Sequence, residues 1–176
     1  MQVTRTYLQL TTPQDFRPSL GEFPEVRIER VPDPTPALYR HCYQTVGKDF
    51  HWRDRWDWTD AEIDAHLAQP EITLHTAARG DTLVGWYELR AVPEDRSVEI
   101  AYFGLFPQAI GRGLGKQLLS CAVRDAWATS PPPARVWLHT CTLDHPAALP
   151  NYVARGFRPY KTETYEVDES RLDSPA

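Results

Sequence analysis

The feature that most constrains this chain is a strand that ends in a turn with alternating glycines and continues as an amphipathic helix. The turn and the first residues of the helix are Gly111, Arg112, Gly113, Leu114, Gly115 and Lys116. Glycine allows backbone conformations that side chains forbid, and it lets a ligand approach closely. Free N–H groups at a helix start attract an anion, and Arg112 and Lys116 add positive charge. The turn therefore predicts a phosphate site, best suited to a pyrophosphate, although the same spacing also occurs in plain tight turns.

Hydrophobic patterning predicts alternating strands and helices on both sides of this turn. Apolar residues at helical spacing indicate helices, and apolar runs between hydrophilic breaks indicate strands. Thr59 and Glu62 form a capping-box pair, and Pro150 predicts that the last helix is short. Predicted helices cover residues 35–50, 59–69, 113–128 and a short segment ending at 155; predicted strands cover 4–10, 26–31, 71–79, 82–92, 97–106, 135–142 and 157–167. This order predicts an α+β (mixed α/β) fold with an extra N-terminal strand.

Length and composition narrow the class of protein. The 176 residues suit one domain, 1–176, with a core at about 26–167 and residues 1–25 as a strand-and-loop extension. A formal charge of -5 argues against binding to a nucleic-acid backbone. Cys42, Cys121 and Cys141 are too widely spaced for a disulfide frame or a zinc site. With no signal peptide and no apolar run long enough for a bilayer, the sequence predicts a cytoplasmic protein without a metal or a membrane partner.

A second motif lies downstream, where Tyr152 stands four residues before a Gly-Phe pair on a short helix that follows a strand. Together the two motifs resemble the GCN5-related N-acetyltransferase (GNAT) family, over roughly residues 26–167. The family pattern Q/R-x-x-G-x-G/A aligns from Ile110 to Gly115, with Ile110 in place of the usual Gln or Arg. His145 stands where the family frequently has Asn.

The resemblance implies a donor site for acetyl-CoA. A GNAT-like sheet is mixed and mostly antiparallel, is flanked by about four helices, and has two parallel strands that splay around the pantetheine arm. Here those strands are residues 97–106 and 135–142. The resemblance implies main-chain contacts from Phe103 and Leu105, and pyrophosphate contacts from the amides of Ile110, Gly111, Arg112, Gly113, Leu114, Gly115 and Lys116, with His145 also at the cofactor.

The resemblance also implies direct attack of a primary amine on the thioester, with Tyr152 as the general acid that protonates the departing thiolate. Core packing is the alternative role for this tyrosine. Glu99 is the candidate base, acting through water, or else an ordinary exposed glutamate. Strand alternation places Glu99 on the face of Ala101 and Phe103. Tyr102 and His139 are weaker candidates for the base.

The segment between the first two helices is a candidate acceptor site. Its aromatic and acidic residues are Trp52, Asp54, Trp56, Asp57 and Trp58. Ring faces and carboxylates together can bind a cation, and we expect Trp86 to contribute the floor of the site. Packing under a loop, with the charges solvated, is the alternative.

The resemblance implies an acetyl-CoA-dependent N-acetyltransferase, and we expect it to act on a primary amine of a small molecule or peptide. The acidic overall charge favours a cationic acceptor. Two alternatives are a non-catalytic acyl-CoA-binding module and a protein-lysine acetyltransferase. The N-terminal and last strands could also pair across a homodimer.

Overall fold

Residues 1–167, which the computed structural model describes, form a seven-stranded sheet and four α-helices. The strands are β1 Gln2–Leu10, β2 Val26–Arg30, β3 Ile72–Arg79, β4 Thr82–Val92, β5 Ser97–Leu105, β6 Arg135–Cys141 and β7 Arg158–Glu166. The helices are α1 Pro36–Gly47, α2 Asp60–Leu67, α3 Leu114–Trp127 and α4 Ala148–Ala154. The predicted α+β fold with a mixed sheet is confirmed. Residues 168–176, the end of the predicted domain, lie outside the described residues.

Local signals account for where the helices begin. Thr35 caps α1 by accepting a hydrogen bond from the Leu38 amide, with proline at the first helical position. At α2 the predicted capping box forms in both directions, because Thr59 bonds the Glu62 amide and the Glu62 carboxylate accepts from the Thr59 amide. Helix α4 has only seven residues and carries Pro150 in its first turn, where a missing N–H costs no helical hydrogen bond.

Helices cover both faces of the sheet. On β4 the ring of Trp86 packs against Tyr39 of α1, with ring centroids 5.7 Å apart. The next residue, Tyr87, points to the opposite face and donates a hydrogen bond of 2.6 Å to Asp125 of α3. No helix in residues 1–167 is long and apolar enough to cross a membrane.

Strand β1 lies inside the sheet, which has the order β2-β3-β4-β5-β6-β1-β7. It pairs antiparallel with β6 on one side and β7 on the other, and Val3, Leu8 and Leu10 are buried. The segment expected to be an extension of the core is therefore an interior strand. The N-terminal and last strands pair within one chain, so their pairing gives no support to the homodimer, which stays a prediction.

The parallel pair β5–β6 separates along its length. Paired positions run only from Ser97 with Arg135 to Glu99 with Trp137, and beyond them the strands diverge. The predicted splayed pair is thus present. Its divergence opens the middle of the sheet to a ligand.

A β-bulge at Ala101 changes which side chains share a face of β5. Tyr102 lies opposite Glu88 of β4, but Ile100 lies opposite Leu89, so two positions of β5 are spanned by one of β4. Past the bulge the alternation is reversed. Glu99 therefore shares its face with Tyr102 and not with Phe103, and the prediction from simple alternation is wrong.

Candidate active site

A cavity of about 970 Å³ lies where β5 and β6 separate. Residues 100–105 of β5 and Leu138, His139 and Cys141 of β6 line its middle. The glycine-turn end is lined by residues of the turn and of α4. The other end lies against the segment between α1 and α2, residues 51–58, which we name the tryptophan loop. The volume falls within the range of small-molecule sites, roughly 300–1,000 Å³.

The glycine turn provides an uncapped helix start. Gly111 and Gly113 have φ angles of 82° and 84°, which favour glycine, whereas Gly115 is an ordinary helical residue. Helix α3 begins at Leu114 without a side-chain cap. The Lys116 amide already donates to the Gly113 carbonyl at 3.2 Å, and the Ile110 amide donates to the Pro107 carbonyl at 3.3 Å. The amides between them, at the start of the helix, have no helical carbonyl to bond and can bind an anion.

Most residues predicted to contact acetyl-CoA line this cavity. They are Phe103, Leu105, Ile110, Gly111, Gly113, Gly115, Lys116 and His145. Arg112 is exposed beside the turn, and the Leu114 side chain is buried in the core, so neither lines the cavity. The His145 Nδ1 accepts a hydrogen bond of 3.1 Å from the Ala147 amide, which holds its ring at the start of α4. No group of His, Cys, Asp or Glu suited to a metal ion occurs among residues 1–167.

The spacing between Tyr152 and the Gly-Phe pair is explained by how α4 ends. Gly156 has a φ angle of 99°, and the Phe157 amide donates to the Tyr152 carbonyl at 3.1 Å, as in a Schellman motif. A Cβ on Gly156 would lie 2.0 Å from the Asp15 carbonyl oxygen, so only glycine fits. This ending positions α4 against the sheet and directs Tyr152 to the cavity.

The Tyr152 side chain is 6% exposed and lines the cavity. Its ring is held between Phe103 and Phe157, with centroid distances of 6.2 and 6.3 Å. Burial, together with the negative charge of Asp144, raises the pKa of the Tyr152 hydroxyl, so the group stays protonated at neutral pH. Within residues 1–167 this hydroxyl has no hydrogen-bond partner, which leaves its proton free for a ligand.

Glu99, the predicted base, does not line the cavity. Its carboxylate forms an ion pair with Arg90, whose Nη2 lies 2.5 Å and whose Nε lies 2.8 Å from Oε2. The side chain is 5% exposed, and burial raises its pKa although Arg90 acts in the opposite direction. Contact between Glu99 and a ligand in the cavity would therefore need an intervening water.

Of the four predicted acceptor-site tryptophans, Trp52 lines the cavity and the other three do not. Trp86 is fully buried and stacks on Tyr102 with centroids 6.0 Å apart. Trp56 and Trp58 pack against the guanidinium groups of arginines within the tryptophan loop, at 4.7 and 4.9 Å. Trp56 and Trp58 therefore pack within the loop, which was the alternative role for them. Trp86 does not line the cavity, so the expectation that it forms the floor of the site is wrong.

Asp54 lies at the cavity between two tyrosines. Its Oδ1 accepts a hydrogen bond of 2.7 Å from Tyr43, and its Oδ2 accepts one from Tyr102. The acidic residues of this loop were expected at the acceptor site, but the partners of Asp54 were not. The bulge at Ala101 turns Tyr102 toward this loop, and no local sequence signal marks that bulge.

His139 of β6 and Arg5 of β1 also line the cavity. Burial lowers the pKa of His139, helped by the positive charge of Arg5, so its imidazole is neutral at pH 7. The edge of its ring faces Tyr7, with centroids 5.6 Å apart. Sequence reasoning missed Arg5 because that residue reaches the site only through the insertion of β1 beside β6.

Comparison with known proteins finds similarity to acetyltransferases, both in a family model and in a curated relative. A model of the acetyltransferase (GNAT) family matches residues 35–157. A mycothiol acetyltransferase of Streptomyces griseus subsp. griseus is 29% identical over 121 residues, which cover 67% of this chain and 37% of that protein. The chain thus spans little more than a third of the length of that curated relative.

Two solved structures share the fold. A GCN5-related N-acetyltransferase from Kribbella flavida superposes with a TM-score of 0.64 at 18% identity, covering 92% of this chain and 56% of that one. An aminoglycoside acetyltransferase from an uncultured soil metagenomic sample, in complex with trehalose, superposes with a TM-score of 0.63 at 15% identity. The superposition covers 76% of this chain and 90% of that one.

Proposed function

This chain belongs to the acetyltransferase (GNAT) family, and we propose that it transfers the acetyl group of acetyl-CoA to a primary amine of a small molecule or peptide. The observation that carries the proposal is one continuous cavity. It joins the uncapped glycine turn, the gap between β5 and β6, and the Tyr152 side chain. A long acyl-thioester donor and a separate acceptor can both reach the middle of such a cavity.

The chain's own residues fit the donor. The glycine turn would hold the pyrophosphate by its backbone amides, with Lys116 adding charge at the rim. Phe103 and Leu105 would bond the pantetheine arm through their main chain, since β6 no longer pairs with β5 at those positions. Bound acetyl-CoA would supply an activated acetyl group with a thiolate leaving group.

In the proposed reaction, the amine nitrogen forms a bond to the thioester carbonyl carbon and the carbon–sulfur bond breaks. The products are an amide and free CoA thiol. Tyr152 donates its hydroxyl proton to the departing sulfur, because that proton has no other partner and the residue lines the cavity.

The attacking amine must also lose a proton, because an alkyl ammonium with a pKa near ~10 is almost wholly charged at pH 7. Glu99 is the base that the family implies, and it would act through water. His139 is supported more directly, since it lines the cavity and is neutral at pH 7. We propose His139 as the proton acceptor, with Glu99 as the competing assignment.

The name of the curated relative supports a small-molecule acceptor, since it is called a mycothiol acetyltransferase. Because this chain spans 37% of that protein, the relative's activity is carried here only as part of the proposal.

The test is CoA thiol release from acetyl-CoA against a panel of primary amines, with wild type and Tyr152→Phe. We expect release that depends on the amine and falls by about 100-fold in the variant. Tyr160→Phe is the matched control, because Tyr160 is an exposed tyrosine of β7 that does not line the cavity.

Equal activity in both variants would remove Tyr152 from the acid role. Protein that binds acetyl-CoA, but releases no thiol with any amine, would replace the proposal with a non-catalytic acyl-CoA-binding module. Release only with lysine side chains of proteins would replace the acceptor class with protein lysines.

A further inference from the structure

The charged residues that line the cavity do not match a purely cationic acceptor. Arg5 of β1 and Arg53 of the tryptophan loop both line it, together with two carboxylates, Asp54 and Asp144. Asp144 already accepts hydrogen bonds from the Thr140 hydroxyl and the Cys141 amide. The cavity therefore presents positive as well as negative charge to an acceptor.

Neither arginine forms an ion pair with a described residue, although the negative charge of Glu163 does act on Arg5. Among residues 1–167, no carboxylate lies within ion-pair distance of Arg5 or Arg53. Glu163, across the β1–β7 ladder from Arg5, is already bonded to Lys161 and Tyr7. The guanidinium of Arg5 lies over the Tyr165 ring at 5.1 Å, and that of Arg53 over Trp56 at 4.7 Å, so each is oriented by an aromatic ring.

Unused hydrogen-bond donors point to the same conclusion. The Nε atoms of Arg5 and Arg53 are buried and have no hydrogen-bond partner among residues 1–167. The Nδ1 of His51, which also lines the cavity, is likewise buried without a partner in the described part of the chain, and it donates or accepts according to its tautomer. Buried polar groups are normally satisfied, and a guanidinium matches a carboxylate with two parallel hydrogen bonds.

Asp54 supplies the opposite charge. Its two oxygens are held by the hydroxyls of Tyr43 and Tyr102, which keeps the carboxylate at the cavity wall. It can attract the amino group of an acceptor, while the arginines repel a second positive charge and attract a negative one.

We propose that the acceptor is an amino acid or a closely related aminocarboxylate, with its carboxylate bound by Arg5 and Arg53 and its amino group near Asp54. This inference rests on the proposed function and specifies its acceptor. It replaces the cationic acceptor that overall composition favours, because the local charge of the cavity and not the net charge of the chain meets the substrate.

The test compares the twenty standard L-amino acids with their carboxamides, which keep the amine but lose the negative charge. We expect kcat/KM to be at least tenfold higher for the preferred acid than for its carboxamide. We expect Arg5→Gln and Arg53→Gln each to lower that acid-to-amide ratio by about tenfold. The ratio is insensitive to partial misfolding, because a loss of folded protein reduces both rates equally.

Arg27→Gln is the control variant, since Arg27 is an exposed residue of β2 paired with Glu29 and does not line the cavity. It should leave the ratio unchanged. Arg5→Lys should retain more of the ratio than Arg5→Gln, because it keeps the charge without the guanidinium fork.

Equilibrium binding of the same compounds, measured by tryptophan fluorescence with CoA present, separates the two proposals. Binding of an amino acid that depends on both arginines, but without turnover, supports the acceptor class and contradicts the proposed function. Thiol release with other amines at equal rates for acids and carboxamides keeps the proposed function and overturns the aminocarboxylate. If no amino acid binds and none is acetylated, the aminocarboxylate proposal is likewise overturned.

Discussion

The Nη1 atom of Arg55 lies 3.0 Å from both carboxylate oxygens of Glu88, and this ion pair attaches the tryptophan loop to the centre of the sheet. Glu88 is fully buried on β4 and also lies 3.1 Å from the His66 Nε2 of α2. Burial would raise the pKa of Glu88, but His66 and Arg55 outweigh it and the pKa is lowered. Because Trp52, Arg53 and Asp54 precede Arg55 directly, the pair also positions the residues that line the cavity.

We predict that Glu88→Gln lowers the free energy of unfolding by about 3 kcal/mol, because Arg55 keeps its charge in a buried place without a counter-charge. Urea unfolding at pH 7 measures the effect. Glu29→Gln, which breaks an exposed ion pair with Arg27, should change it by less than about 0.5 kcal/mol. An equal loss of unfolding free energy in the two variants would show that the buried ion pair contributes no more to stability than the exposed one.

The lowered pKa of buried His75 predicts how the free energy of unfolding depends on pH. Burial lowers its pKa from 6.5 to about 4, opposed by Asp125 and assisted by Arg30 and Arg124. Between pH 4 and 6.5 the unfolded chain binds a proton that the folded chain does not, so the free energy of unfolding rises with pH across this window.

We expect His75→Phe, which keeps a ring for stacking on Tyr87, to flatten this part of the stability profile. Unfolding measured at several pH values between 4 and 7 provides the test. An unchanged slope in His75→Phe would assign the pH dependence to other groups.

Two glycine-to-alanine substitutions at the glycine turn should have opposite effects on the stability of the ligand-free protein. Gly113→Ala should destabilise the ligand-free protein by about 1–2 kcal/mol, because its φ of 84° is strained for a residue with a Cβ. Gly115→Ala should stabilise it by about 0.5–1 kcal/mol, since Gly115 is helical and the nearest atom to a new Cβ is 3.7 Å away. Thermal unfolding compares them, and two changes of the same sign would contradict the assignment.

The base is tested by pH–rate profiles. His139→Gln should lower kcat/KM by about 100-fold at pH 7. In the wild type, activity should fall as pH drops through the pKa of His139, which burial holds below 6.5, because only the neutral imidazole accepts a proton. A larger loss in Glu99→Gln than in His139→Gln would return the base role to Glu99.

Features that depend on neighbouring residues could be predicted from the sequence. The positive φ at Gly111 and Gly113, the capping box of α2 and the helix ending after Tyr152 each involve residues within a few positions of one another. The order of strands and helices follows from hydrophobic periodicity in the same way. These signals were sufficient for the fold and for most of the residues that line the cavity beside the glycine turn.

Side-chain positions that depend on distant strands could not be predicted. Tyr102 faces the tryptophan loop because β5 bulges against β4, and a bulge depends on the register between two strands. Trp86 was expected at the acceptor site, but Tyr39 and Tyr102 cover it.

By itself, the sequence determined the local backbone of this protein: the glycine turn, the helix ends and the alternation of strands and helices. Which distant side chains meet in the cavity depends on the tertiary structure. Arg5 reaches the cavity because β1 inserts between β6 and β7, and Arg53 and Asp54 reach it because Arg55 binds Glu88 in the middle of the sheet. Local conformation depends on a few adjacent residues, whereas the charge of a cavity depends on every element that packs around it.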